Sequence, residues 1–122
     1  MTSGQYDKLT AEEQRIKVAE LCKYKVAYTK DEWPYLIGPD GIICSGVYHF
    51  NMEEDLWKDF TPDYLKDLNA CHAFEKLIIS EDQQDGYIDH LEYICSGLRW
   101  DFATATAAQR CKAFVLTMTE RS

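Results

Sequence analysis

The sequence predicts an α+β domain in the order helix, three strands, three helices: a three-stranded antiparallel meander packed with about four helices. Three observations predict it. Ser or Thr followed three residues later by Glu or Gln precedes apolar stripes at helical spacing, at Thr10, Ser80 and Thr106. Between residues 24 and 50 the chain instead alternates, is rich in β-branched and aromatic residues, and is broken by turn residues. A hydrophobic fraction of 46% in 122 residues is enough for one domain with a real core.

Residues 1–9 are polar and aperiodic and read as a loose arm. Thr10 and Glu13 form a capping box, and Ile16, Val18, Ala19, Leu21 and Cys22 give the following helix its buried face. Tyr24 to Thr29 reads as a strand. Tyr35 to Ile37 is the second strand, with Pro34 marking its start. Gly38-Pro39-Asp40-Gly41 is a turn in which Pro39 presets one dihedral and Gly41 supplies a positive one. Ile42 to Phe50 is the third strand, with Gly46 as a bulge position.

Asn51 to Asp59 reads as an acidic connector pinned by Leu56 and Trp57. Phe60 to Ile79 is the longest helix signal in the chain. Thr61 caps it, Pro62 takes the first helical position, and Asp63 adds charge near the positive end of the dipole. Tyr64, Leu65, Leu68, Cys71, His72, Glu75 and Ile79 form its stripe. Ser80 opens the next helix, with Tyr87, Ile88, Leu91, Ile94 and Cys95 inward and Gly97 closing it. The last helix opens near Thr106 and Gln109, with Ala107, Arg110, Cys111, Phe114, Val115 and Met118 as its stripe.

Composition narrows function. A net charge of −8 argues against direct binding to nucleic acid or anionic membranes and favours a partner with a basic surface. No apolar run is long enough to span a bilayer, and the N-terminal residues lack the apolar core of a secretory signal. Five scattered cysteines with no CxxC pair read as small core residues in a reducing cytosol.

The first candidate site is Asn69, His72 and Glu75, one helical turn apart. An imidazole and a carboxylate can hold a polar ligand or move a proton. A metal wants three or four ligands and HxxE supplies two, so no metal or cofactor is expected. The plainer account is that these groups fix helix packing through buried hydrogen bonds. Arg110, beside Gln109 near a helix start, is a candidate anion contact or else the partner of a neighbouring carboxylate. Glu53, Glu54, Asp55 and Asp59, with Trp57 and Trp33, make a candidate partner-binding set: a row of acids that imitates phosphates, plus aromatic anchors. The plainer account is a solvated connector and packed rings. There is no nucleophile elbow, phosphate loop or HExxH, and the expectation is a protein that acts by binding.

Three segments carry a resemblance. TPDYLKDLNACHAFEK (Thr61–Lys76), LTAEEQRIKVAELC (Leu9–Cys22) and ATAAQRCKAFVLTM (Ala105–Met118) resemble, in the same order, segments of the phage ABA-sandwich domain family. The resemblance implies a layered α-β-α sandwich, a phage origin and expression in a bacterial cytoplasm. It supplies no catalytic residues and no cofactor. With the charge, it leads to the expectation of a phage accessory protein that binds a host or phage protein, for example to inhibit a host defence. A nucleotide-like small-molecule binder using Asn69, His72 and Arg110, and an oligomeric structural component, are the alternatives.

Overall fold

A computed structural model describes residues 1–44, 53–95 and 105–119. Six helices and two strands follow in the order α1 (Ser3–Asp7), α2 (Ala11–Leu21), β1 (Lys25–Tyr28), β2 (Pro34–Ile37), α3 (Glu53–Phe60), α4 (Leu68–Glu75), α5 (Glu81–Ile94) and α6 (Ala107–Thr119). The centre of the molecule is α6, not the stretch from Phe60 to Ile79. Ala107, Cys111, Ala113, Phe114, Val115 and Leu116 are all buried on α6, which packs against α1, α2, α4 and α5. Phe114 stacks on Phe74 of α4, with ring centroids 4.3 Å apart and planes 19° from parallel.

Local signals hold at three helix starts. Thr10 and Glu13 exchange the two bonds of a capping box, and so do Thr106 and Gln109. Ser80 Oγ accepts from the Gln83 N–H at the start of α5. Residues 1–9, expected as a loose arm, instead carry α1. Its Thr2 cap bonds the Gln5 N–H, and Tyr6 is buried. The Met1 ammonium reaches Thr119 Oγ1, and Lys112 pairs with Asp7.

The three-stranded sheet is corrected to a two-stranded one. β1 and β2 pair antiparallel from Lys25↔Ile37 to Tyr28↔Pro34. The Gly38–Gly41 turn forms as read, with Gly41 at φ 83°. Beyond it the chain touches β2 at a single bridge, Ile37↔Ile43, and Ile42 and Ile43 are exposed. Without a buried face on the returning segment, no third strand forms among the described residues; 45–50, with Gly46, lie outside them. A sheet this small does not form the middle layer of a sandwich, and helix-on-helix packing supplies most of the core.

Two further elements differ from expectation. The acidic connector carries helix α3, with Leu56 and Trp57 buried. Its end is held by Arg15, whose guanidinium donates to the carbonyls of Lys58 (2.7 Å), Thr61 (2.6 Å) and Pro62 (3.1 Å). The continuous helix expected from Phe60 to Ile79 is broken by a turn over 61–67, and α4 starts only at Leu68 with Asp67 as its cap. In an unbroken helix the Tyr64 carbonyl would accept from the Leu68 N–H. It accepts instead from two buried thiols, Cys71 (3.3 Å) and Cys111 (3.1 Å). Four cysteines are buried and Cys44 is exposed. The helix end expected at Ser96-Gly97 lies outside the described residues. Among the described residues no helix is long and apolar enough to cross a membrane.

Candidate functional site

His72 and Glu75 sit one turn apart on α4, as their spacing predicts. His72 Nδ1 donates to Glu75 Oε1 at 2.8 Å; a carboxylate can only accept, so this ring nitrogen carries the proton. The second carboxylate oxygen is shared. Tyr87 of α5 donates its hydroxyl to Oε2 at 2.5 Å, and Arg110 of α6 donates to the same atom at 2.9 Å. Arg110 also donates from Nε to the Ala105 carbonyl at 3.2 Å. One carboxylate thus joins α4, α5 and α6.

Burial sets the electrostatics. The Arg110 side chain is 11% exposed and that of Glu75 is 21% exposed. Burial alone would raise the Glu75 carboxyl pKa. The hydrogen bonds from Tyr87 and His72 and the Arg110 charge outweigh it and hold the carboxyl below its ordinary value. Burial, reinforced by Glu75, pushes the Tyr87 hydroxyl far up, so it stays a donor. An ionised Glu75 with both oxygens engaged is poorly placed to donate a proton. Arg110 is committed to Glu75 and Ala105 and is a weak choice for gripping a phosphate. The arrangement is a clamp between helices.

Asn69 is not part of this network. It is exposed, and its backbone N–H donates to Asp67 Oδ1 at 2.9 Å. His72 is on the surface as well, its side chain 55% exposed, so it is not a buried packing group. Tyr87 is the member that sequence reading missed as a polar contact, because its place in the apolar stripe of α5 masks the reach of its hydroxyl. An open cleft of about 310 Å³ lies beside the clamp, lined by Glu75, Ile78, Gln84, Tyr87 and Ile88. Among the described residues no group of three or more His, Cys, Asp or Glu stands where it could share a metal ion.

The expected partner-binding residues fall in different places. Trp57 is 7% exposed and belongs to the core. Asp59 on α3 and Trp33 in the hairpin loop are exposed. Glu53, Glu54 and Asp55 lie on α3, but their side chains are outside the described residues. A second acidic surface, which sequence reading did not single out, runs along α5. Glu81, Asp82, Asp85, Asp89 and Glu92 lie on this helix, which contains no Lys or Arg. Asp82, Asp85, Asp89 and Tyr93 follow at three- and four-residue steps and share its outer side. Tyr93 is 81% exposed there. The signal lies in EDQQDGYIDHLEYI, whose outward positions carry the acids between the inward apolar residues.

No family model, curated protein or solved structure matches this chain.

Proposed function

We propose that this chain is a non-enzymatic phage accessory protein that binds a basic surface of a host or phage protein, a host defence protein being the first target to test. The phage element rests on the three resembling segments. The binding element is supported by one observation above the others: the outer face of α5, where Asp82, Asp85 and Asp89 stand with an exposed Tyr93 on a helix that contains no Lys or Arg. An aromatic ring amid like charges fits an interface anchor, because the ring supplies contact area while the charges steer a basic partner. Asp59 and Trp33 are exposed and open to the same use.

The test is a pull-down from bacterial lysate at low and high salt. The wild-type chain is compared with a triple variant, Asp82→Asn, Asp85→Asn and Asp89→Asn, and with Tyr93→Ala. Salt-sensitive capture of a basic protein that both variants lose is the expected result. Capture that neither variant affects would refute this use of α5.

A further inference from the structure

Two buried thiols converge on one oxygen atom at the break before α4. The Tyr64 carbonyl accepts from Cys71 Sγ of α4 at 3.3 Å and from Cys111 Sγ of α6 at 3.1 Å. The two sulfurs therefore stand no further apart than those two bonds laid end to end. Cys71 Sγ also reaches the Ala107 carbonyl at 3.6 Å. In a helix that carbonyl is the acceptor of the Cys111 N–H, so Cys71 lies against the turn of α6 that carries Cys111. Both side chains are fully buried.

The pair is chemically uneven. The hydrogen bond from Cys111 outweighs burial and the Glu75 charge and holds the Cys71 thiol below its ordinary pKa. The same bond, with burial, pushes the Cys111 thiol far up. A thiolate is the nucleophile of sulfur chemistry, so Cys71 is the member that reacts first. Cys22, a third buried thiol, is pushed up to about 11 by burial, which keeps it protonated.

We propose that Cys71 and Cys111 form a dithiol–disulfide couple, and that oxidising it loosens the turn over 61–67. The oxidant is a peroxide, which is little larger than water and enters through local opening of the native state. The Cys71 thiolate attacks one peroxide oxygen and the O–O bond breaks. The leaving hydroxide takes the proton that Cys71 released, giving water and a sulfenic acid on Cys71. The Cys111 sulfur then attacks the Cys71 sulfur, the S–O bond breaks, and hydroxide leaves with the Cys111 proton as a second water. Two electrons pass from the sulfurs to the peroxide, and a thiol reductant restores the pair. A disulfide has no S–H to donate, so the Tyr64 carbonyl loses both donors in one event. Transient disulfides are the kind that a reducing compartment permits. The couple lies in the core and does not depend on the function proposed for α5.

The experiment oxidises the native full-length chain with hydrogen peroxide, in a Cys44→Ser background that removes the exposed thiol. Tryptic mass spectrometry with and without dithiothreitol reads the product. The expected result is a loss of two hydrogens, reversed by reductant, with peptide 67–76 linked to peptide 111–112. Closing a loop of about 40 residues should raise the melting temperature by roughly 5–10 °C, after the loss of the two carbonyl donors is counted. The Lys66 and Asp67 amides, which bond the Asp63 carbonyl, should nevertheless exchange with deuterium at least threefold faster in the oxidised chain. Faster local exchange in a protein that melts higher separates the switch from simple damage. Cys71→Ser, whose hydroxyl can still serve the Tyr64 carbonyl, should fold and give no linked product. No reversible link, a link through Cys22 or Cys95 instead, or a Cys71–Cys111 link that leaves exchange over 61–67 unchanged would overturn the proposal.

Discussion

Replacing Glu75 with Gln keeps the shape of the side chain and removes its charge. Arg110, with a side chain 11% exposed, then loses its counter-ion and faces an amide group in place of a carboxylate oxygen. Breaking one side of a buried, hydrogen-bonded pair costs about 3–5 kcal/mol, and less where solvent reaches in. Glu75 is 21% exposed, which places the expected loss at about 2–4 kcal/mol. At this chain length that lowers the melting temperature by roughly 6–20 °C. The sign with pH follows from the carboxyl. Its folded-state pKa lies below the unfolded value, so its stabilisation is present above about pH 4.3 and is lost as pH falls through the folded value. The gap between wild type and Glu75→Gln should therefore be widest near neutrality and close in acid. Urea denaturation from pH 3 to 7, with a double-mutant cycle pairing Glu75→Gln and Arg110→Met, measures both effects. A coupling below about 0.5 kcal/mol, or a gap that does not change with pH, would refute the clamp as a source of stability.

Other consequences are measurable in the same way. Phe114→Ala removes the ring stacked on Phe74 in the centre of the core and should cost about 3–5 kcal/mol by urea denaturation. Arg15→Ala frees three carbonyls at the end of α3 and should cost about 1–2 kcal/mol; Arg15→Lys should recover only part of this, because a single ammonium nitrogen does not match acceptors placed for the Nε and Nη2 of a planar guanidinium. Under native conditions an aromatic disulfide reagent should label Cys44 quickly and the other four cysteines only on unfolding, and Cys44→Ser should remove the fast phase.

What could be read from the sequence was local. Thr10 with Glu13, and Thr106 with Gln109, form their caps because all the atoms involved lie within four residues. His72 and Glu75 meet for the same reason. The break in the central helix could not be read that way. Tyr64, Leu65, Leu68 and Cys71 keep helical spacing whether or not a turn intervenes, and the Tyr64 carbonyl is claimed by thiols on α4 and α6. Asp67, a good capping residue, was the available clue. The acidic residues of α3 hid the helical spacing of Leu56, Trp57 and Phe60. Arg110 reaches Glu75 across 35 positions of sequence, and no periodicity encodes that contact.

The position of α6 in the chain has a consequence for biogenesis. Its Phe114 fills the middle of the core, and α1, α2, α4 and α5 all rest on it. Synthesis proceeds from the N-terminus at about 5–20 residues per second. These four helices, all made earlier, therefore wait with an oily side uncovered until α6 leaves the ribosome. Growing chains are the species that chaperones and proteases should meet, and a stop codon ahead of Ala107 should leave a polypeptide that is degraded, not a smaller folded protein.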